Sequence, residues 1–194
     1  MLKLLHNVPF LRQMYFERWG KTWVKKKVQP FLSYLNDSDK ILDIGSGNGL
    51  VAHALRESGY DVTPLDVADL SYNESVKPVV YDGREMPFED KKFDVALLLT
   101  VLHHIDQPDE VLREACRVAR RVIIIEDIYE NKLQKKLTFV VDSFINWGYA
   151  ACPHTNKDDQ EWRETFETMN MQLENVAYRK VLLFFKQGIY HISQ

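Results

Sequence analysis

A glycine-rich turn that follows a short apolar segment constrains this 194-residue chain more than any other feature. Residues 40–44 are apolar enough to form a buried strand, and Gly45, Gly47 and Gly49 follow it. Glycines at such a turn let the backbone approach a ligand closely and expose the amide groups at the start of the next helix. Because residues 47–52 also fit the dinucleotide-binding pattern, the turn alone predicts a nucleotide-type ligand without identifying it.

Strand and helix patterns alternate along the rest of the chain. Short apolar segments predict five strands, and apolar residues at helical spacing predict helices between them. Pro108 near the start and the acidic Asp109 and Glu110 make the helix at 107–119 the clearest one. Asp158 can cap a helix that ends near residue 170. The predicted strands are residues 40–44, 61–66, 77–81, 93–99 and 122–125, and a closing hairpin joins 173–185 to 189–193 through Lys186, Gln187 and Gly188.

This order of elements predicts one α/β domain. Alternating strands and helices form parallel sheets with right-handed crossovers, and the hairpin adds antiparallel strands. We therefore expect a single doubly wound, mainly parallel seven-stranded sheet with helices on both faces and a C-terminal antiparallel hairpin. Residues 37–194 are predicted to form this domain, with residues 129–170 as a helical insert on the substrate side. Residues 1–36 are predicted to pack on it as a helical leader or lid.

The predicted leader is basic and amphipathic. Residues 1–36 contain seven Lys or Arg residues and one acidic residue, Glu17, whereas the whole chain has a net charge of −3. The run from Lys25 to Lys27 predicts either a solvated helix face or a strip that docks on an anionic substrate, a membrane surface or RNA. Docking on nucleic acid or a membrane is the less favoured interpretation. The apolar stripe of the leader consists of Leu11, Met14, Tyr15, Trp19 and Trp23.

Acidic residues accompany the glycine turn. Asp43 lies two residues before Gly45, and Asp66 closes the second predicted strand, where a carboxylate can accept hydrogen bonds from ribose hydroxyls. The segment 41–49 resembles the first motif of class I S-adenosylmethionine-dependent methyltransferases. The terminal hairpin is similar to the reversed last strand of the type 11 family of small methyltransferases. The other segments that resemble this family, over about residues 40–127, are Tyr81-Asp82-Gly83, Met86-Pro87-Phe88, Phe93-Asp94-Val95-Ala96 and Val101-Leu102-His103-His104-Ile105.

The resemblance implies S-adenosyl-L-methionine as the cofactor and a set of residues that bind it. The glycines of the turn would line the methionine and ribose parts, and Asp66 would accept the ribose hydroxyls. Asp82 would accept a hydrogen bond from the adenine amine, and the carbonyl of Leu99 would face the methionine ammonium. Asp43 would act through ordered water or backbone contacts. The full implied set is Asp43, Gly45, Gly47, Gly49, Asp66, Asp82, Gly83, Leu99, Thr100 and His103.

Candidate catalytic residues follow the fourth and fifth predicted strands. Methyl transfer from a sulfonium is an in-line displacement, so the protein aligns donor and nucleophile and, for a hydroxyl or protonated amine, arranges proton removal. His103 is the base best placed by the resemblance, and Asp127 is a second candidate; His104 and Tyr129 lie near the same edge. The two histidines alternatively serve packing and cofactor shape. Glu126 and Asp127 either contact the acceptor or cap the next helix.

The predicted activity is methyl transfer to an O, N, C or S atom of a small, partly apolar organic acceptor. Methylation of RNA or protein through the basic leader stays open, as do a non-catalytic methyltransferase-like binding subunit and an NAD-dependent oxidoreductase. Aromatic residues of the insert and leader predict either a lid over the acceptor or ordinary core packing. These residues are Trp19, Trp23, Phe139, Phe144, Trp147 and Tyr149.

Composition bears on whether the protein binds a metal and on its cellular location. The two cysteines, Cys116 and Cys152, belong to no metal-binding pattern, so we expect no metal. The sequence has no apolar run long enough to span a bilayer and no secretion signal. A cytoplasmic location is therefore expected, and the sequence leaves the oligomeric state open.

Overall fold

The computed structural model describes residues 20–131, 134, 155–181 and 185–194. The strands are β1 (Lys40–Ile44), β2 (Asp61–Asp66), β3 (Val79–Val80), β4 (Phe93–Leu99), β5 (Ala119–Ile128), β6 (Gln172–Val181) and β7 (Phe185–Ser193). The helices among these residues are α1 (Lys21–Val28), α2 (Leu50–Glu57), α3 (Pro108–Val118) and α4 (Asp159–Thr168). The strands form one seven-stranded sheet in the order β3-β2-β1-β4-β5-β7-β6. Neighbours from β3 to β5 are parallel, whereas β7 runs antiparallel to β5 and β6, which confirms the predicted fold class.

Two apolar layers enclose the sheet. In β4, Ala96 and Leu98 contribute to one layer, and Val95 and Leu97 to the other, because successive residues of a strand point to opposite faces. Helices α3 and α4 cover the first layer, and α1 and α2 cover the second. A parallel strand in such a sheet is buried on both faces, which explains why β4 is apolar throughout its length.

Helices α3 and α4 begin where the sequence signals predict. Pro108 is the first residue of α3. An amide hydrogen at this position would have no partner within the helix, so its absence in proline costs no hydrogen bond. Asp158 precedes α4, and its Oδ1 accepts the amide of Glu161 at 2.9 Å. The carboxylate of Glu161 accepts the amide of Asp158 in return, at 2.7 Å. This reciprocal capping box satisfies two amides that the first turn of α4 would otherwise leave without partners.

The turn of the C-terminal hairpin lies elsewhere than predicted. The segment 186–188, predicted as the turn, belongs to β7, and Gly188 pairs with Glu126 of β5 and Tyr178 of β6. A Cβ at Gly188 would lie 2.6 Å from the buried ring of Tyr190, so the glycine provides the space that this ring occupies. The prediction was wrong because a strand glycine required for close packing resembles a turn glycine in the sequence.

Two further strands, β3 and β5, differ from the prediction at both ends. β3 has two residues instead of the predicted 77–81, because it pairs with β2 only at Leu65 and Asp66. β5 begins at Ala119, three residues before the predicted start, because Ala119 already pairs with Phe93 at the beginning of β4. It ends at Ile128, three residues after the predicted end, because Ile128 still pairs with Lys186 of β7. Pairing with neighbouring strands therefore determines where β3 and β5 begin and end.

Only the end of the predicted leader belongs to the described part of the chain. There α1 packs Val24 and Val28 into the same apolar layer as α2. In the ranges given above, no helix is long and apolar enough to cross a membrane. The division into leader, domain and insert stays a prediction. The residues of the predicted apolar stripe and aromatic lid that lie outside the described residues or side chains are Leu11, Met14, Tyr15, Trp19, Trp23, Phe139, Phe144, Trp147 and Tyr149.

Removing the cap of α4 should destabilise the protein. Replacing Asp158 by Ala should lower the free energy of unfolding by about 1 kcal/mol, because the first turn of α4 loses its side-chain acceptor. Urea unfolding followed by circular dichroism measures the change. Asp158→Asn is the matched control: its amide oxygen can still accept the bond, so it should stay within about 0.5 kcal/mol of the unaltered protein. An equal loss in both variants would contradict the capping role.

Candidate active site

The glycine turn after β1 is attached to the end of β2. The amides of Gly45 and Ser46 donate to the carbonyl of Leu65, at 2.9 and 3.1 Å. The amide of Gly47 donates to Oδ2 of Asp66 at 2.7 Å. These bonds hold the turn at the carboxyl ends of β1 and β2, which is where open α/β sheets bind ligands.

Backbone angles explain why glycines occupy this turn. Gly45, Gly47 and Gly49 have φ angles of 68°, 54° and 78°, in the region that residues with side chains seldom adopt. A Cβ at Gly45 would collide with Val101, and one at Gly49 would collide with Val76. At Gly47 a Cβ would meet no described atom within 4 Å. The turn is therefore closely packed at its two ends and open to a ligand in its middle.

Of the two carboxylates predicted to bind the nucleoside, Asp66 is the last residue of β2 and Asp82 lies on the loop after β3. Asp66 Oδ1 accepts the amide of Val67 at 2.7 Å, and Asp82 accepts a local backbone amide in the same way. The amide of Tyr81 donates to the carbonyl of Asp66 at 3.1 Å. A Cβ at Gly83 would lie 3.2 Å from the side chain of Val67. The loops after β2 and β3 thus contact each other, and both carboxylates lie at the edge of the sheet that carries the glycine turn.

Asp43 places a buried carboxyl group near the end of β1. The residue is 2% exposed, and its Oδ2 has no hydrogen-bond partner among the described residues; the same holds for the buried Oγ of Ser46. Burial raises the pKa of Asp43 to about 7, while the ammonium of Lys27 lowers this pKa and the carboxylate of Asp66 raises it. Because buried polar atoms normally have partners, these two atoms mark a place that a polar ligand would complete.

A strained residue begins the loop after β4. Thr100 has a φ angle of 57°, which is unusual for a β-branched residue. Its amide donates to the carbonyl of Ile125 at 2.6 Å, and its hydroxyl donates to the carbonyl of Leu99 at 2.6 Å. Nζ of Lys27 lies 3.1 Å from that same carbonyl and 3.1 Å from Oγ1 of Thr100. Lys27 of α1 thus donates to the carbonyl of Leu99, which by the resemblance would face the methionine ammonium of the cofactor.

A buried histidine–glutamate pair holds the same loop. His103 is 4% exposed, and its Nδ1 lies 2.5 Å from Oε2 of Glu126. Oε1 of Glu126 accepts the amides of Val101 and Leu102 at 2.8 and 2.7 Å. Because Glu126 acts as an acceptor towards both of these amides, we assign Nδ1 of His103 as the donor of the bond between the two side chains. The basic nitrogen of His103 is therefore Nε2.

Asp127 belongs to a different network on the other face of β5. Its Oδ1 accepts Nε2 of Gln187 at 2.7 Å, and Oε1 of Gln187 accepts Nε of Arg179 at 2.7 Å. Arg179 also donates to the carbonyl of Lys26 at 2.7 Å. Asp127 is thus connected to the end of α1, whereas its neighbour Glu126 contacts the candidate base. The predicted catalytic role of Asp127 stays a prediction.

The sequence of residues 42–122 matches the family model described as a methyltransferase domain. This match assigns a methyltransferase domain to residues 42–122, which are less than half of the chain. Much of the site lies within these residues, since they contain the glycine turn, both nucleoside carboxylates and the loop after β4, whereas Lys27, Glu126 and Asp127 lie outside them. The match confirms the predicted family and, with it, S-adenosyl-L-methionine as the cofactor.

Two curated relatives of this methyltransferase domain are themselves methyltransferases. Demethylmenaquinone methyltransferase of Clavibacter sepedonicus is 25% identical over 168 residues, which cover 74% of this chain and 66% of the relative. Ubiquinone biosynthesis O-methyltransferase of Pseudomonas entomophila is 34% identical over 95 residues, which cover 42% of this chain and 40% of the relative. The chain thus spans less than two thirds of the length of either relative.

A solved structure supports the fold assignment. The S-adenosylmethionine-dependent methyltransferase from Methanosarcina mazei superposes on this chain with a TM-score of 0.66, at 16% sequence identity. The superposition covers 84% of this chain and 95% of the other. At this identity the likeness concerns the fold: the described elements have the architecture of a methyltransferase domain.

The residues of the methyltransferase domain fit an adenosyl ligand that carries an ammonium group. The open space at Gly47 accommodates a ligand, while the carbonyl of Leu99 and the buried Oδ2 of Asp43 are acceptors for a cation. The described ranges contain no group of three or more His, Cys, Asp or Glu residues that could hold a metal ion. The contacts of each predicted binding residue with the cofactor stay predictions.

The sequence did not reveal two features of the site. It treated Lys25, Lys26 and Lys27 alike, whereas the first two are exposed and the third is directed into the site. The available signal was helical spacing, because Lys27 follows the buried Val24 by three residues and so lies next to it on the helix surface. The second feature is the network of Arg179, Gln187 and Asp127, for which the local sequence contains no signal.

The raised pKa of Asp43 should make stability depend on pH. Between about pH 4 and about pH 7 the unfolded chain has released this proton while the folded protein retains it. Raising the pH through this window should therefore destabilise the unaltered protein relative to Asp43→Asn, by about 1.4 kcal/mol for each pH unit. Urea unfolding of both proteins at several pH values measures the difference, in which groups common to both cancel. A difference that stays constant with pH would contradict the raised pKa.

Proposed function

We propose that the whole protein transfers the methyl group of S-adenosyl-L-methionine to a small organic acceptor. The observation that carries this proposal is the loop after β4. It presents the carbonyl of Leu99 at the cofactor edge and, four residues later, the imidazole of His103. Glu126 fixes this loop through its hydrogen bonds, so a cofactor-binding group and a proton acceptor lie at the end of one strand.

The cofactor-binding roles follow the resemblance. Asp66 accepts the ribose hydroxyls while it keeps its bond to the turn at Gly47, because a carboxylate has about four acceptor positions. Asp82 accepts the adenine amine, with the backbone of Gly83 beside it. The carbonyl of Leu99 receives the ammonium group. To the roles that the resemblance implies we add that the buried Oδ2 of Asp43, which has no partner among the described residues, is a second acceptor for this ammonium. The open middle of the glycine turn and the two loops in contact support this arrangement.

The bound cofactor supplies a methyl group activated by a positively charged sulfur. The residues of this chain orient the donor and the acceptor, because an in-line displacement requires aligned reacting atoms. For an acceptor with a hydroxyl or a protonated amine, Nε2 of His103 takes the proton while Nδ1 keeps its bond to Glu126. The carboxylate of Glu126 stabilises the imidazolium that forms. Asp127 acts as a positioning residue through Gln187 and Arg179.

A small acceptor that carries a ring hydroxyl fits the relatives best. The two curated relatives are named for demethylmenaquinone and for ubiquinone biosynthesis. Methylation of RNA or protein through a basic strip is less well supported, because Lys27 is directed inward and only Lys25 and Lys26 of this run are exposed. Phenols and quinols are therefore the first acceptors to test.

Calorimetric titration tests the cofactor site. S-adenosyl-L-methionine and S-adenosylhomocysteine should bind saturably, and NAD should not. Asp66→Ala and Asp82→Ala should each weaken binding roughly tenfold, because each removes a hydrogen bond from a carboxylate to the nucleoside. Asp69→Ala, which removes an exposed carboxylate on the loop after Asp66, is the matched control and should bind normally. Unchanged affinity in both site variants would refute the residue assignment, and binding of NAD alone would refute the function.

Methyl transfer to a panel of phenols, quinols and amines tests the base. Formation of S-adenosylhomocysteine reports turnover. His103→Gln should lower kcat at least roughly a hundredfold, the usual contribution of a general base, and should weaken cofactor binding by much less than that, although the resemblance also counts His103 among the cofactor-binding residues. His53→Gln, on the half-exposed surface of α2, is the control and should keep its activity. If His103→Gln retains full kcat, the histidine serves packing and not proton transfer.

A further inference from the structure

Lys27 enters the methyltransferase site from α1. Its Nζ donates to the carbonyl of Leu99 and to Oγ1 of Thr100, both at 3.1 Å. Lys25 and Lys26 precede it in the same helix and are exposed. The network of Arg179 and the Lys26 carbonyl holds this end of α1 against β6. Lys27 is thus part of the site, and the hydrogen bond from Arg179 holds the end of α1 at β6.

Carboxylates on two strands attract the ammonium of Lys27. Asp43 of β1 and Glu126 and Asp127 of β5 attract it, and the guanidinium of Arg179 repels it. Burial lowers the pKa of Lys27, and the three carboxylates oppose this effect. A buried acidic edge without a cation is unfavourable, so Lys27 compensates the charge of this edge when no ligand does.

The amino-acid part of the cofactor presents the same chemical group, a primary ammonium, to the same carbonyl. Two ammonium groups cannot both lie within hydrogen-bond distance of the Leu99 carbonyl beside Asp43, because like charges at such separations repel. We propose that Lys27 is an intramolecular competitor for the ammonium subsite of this methyltransferase, and that the ligand displaces its side chain on binding. The inference rests on the proposed function, which places the ligand ammonium at Leu99.

Competition by Lys27 weakens the binding of any ligand that carries an ammonium group. A ligand that brings its own ammonium restores the charge balance at Asp43 after Lys27 has left. The side chain stays attached to the fastened helix and returns when the ligand leaves. Since S-adenosylhomocysteine keeps the ammonium after methyl transfer, Lys27 opposes retention of the spent cofactor as well as binding of the fresh one.

Three ligands that differ only in the amino-acid part test the proposal. S-adenosylhomocysteine carries an ammonium and a carboxylate, its deaminated analogue carries the carboxylate alone, and 5′-methylthioadenosine carries neither. Calorimetry measures their affinities for the unaltered protein, for Lys27→Met and for the control Lys25→Met. Lys27→Met should bind S-adenosylhomocysteine roughly tenfold more tightly, as expected if Lys27 leaves the subsite about one tenth of the time. The other two ligands should not gain affinity, and Lys25→Met should behave like the unaltered protein.

Three other results of these titrations would overturn the proposal. If Lys27→Met weakens both ligands that carry a carboxylate, Lys27 binds the ligand carboxylate and the proposal is overturned. Unchanged affinities overturn it as well, while the proposed function stands as long as the unaltered protein binds S-adenosylhomocysteine. If none of the three proteins binds any of the three ligands, the proposed function fails together with the inference. Lys27→Gln, a polar and uncharged replacement, provides the same comparison if circular dichroism shows that Lys27→Met does not fold.

Discussion

The buried carboxylate of Glu126 determines where the chain lies beyond the end of β4. It is 1% exposed and binds the amides of Val101 and Leu102 together with the ring of His103. Val101, held in this way, occupies the space that the missing side chain of Gly45 leaves open. A buried carboxylate with three donors is well satisfied, whereas the loss of any donor exposes its charge to apolar surroundings. The cofactor edge and the candidate base therefore depend on one side chain.

Much of the fold could be predicted because it follows from local rules. The bounds of β1, β2 and β4 agree with the prediction, since each is an apolar run between polar or turn-forming residues. The bounds that the sequence misses are set by strand pairing. β5 extends back to Ala119 because β4 offers a partner there, and β3 is short because only two residues of β2 pair with it. Pairing of this kind depends on residues far away in the chain.

The residues of the site also fall into two groups: those that the sequence predicts, and those whose contacts only the structure reveals. Positive φ angles require the glycines, and the end of a strand is where Asp66 is expected, so both can be read from the sequence. Lys27 and its acceptor Leu99 are 72 residues apart, and a lysine in a basic run is ordinarily expected in solvent. His103 and Glu126 are separated by 23 residues. No local pattern links such pairs, and only the assembled sheet edge brings them together.

The close approach of Gly188 to Tyr190 has a consequence for the evolution of the hairpin. The ring of Tyr190 is fully buried against Trp162 and Phe166 of α4, and it fills the space where a side chain at position 188 would project. A larger residue at 188 is tolerated only with a smaller one at 190, which would in turn leave a cavity beneath α4. These two positions are therefore expected to covary among homologues, so that the packing of a helix against the sheet limits which sequences can form the antiparallel edge.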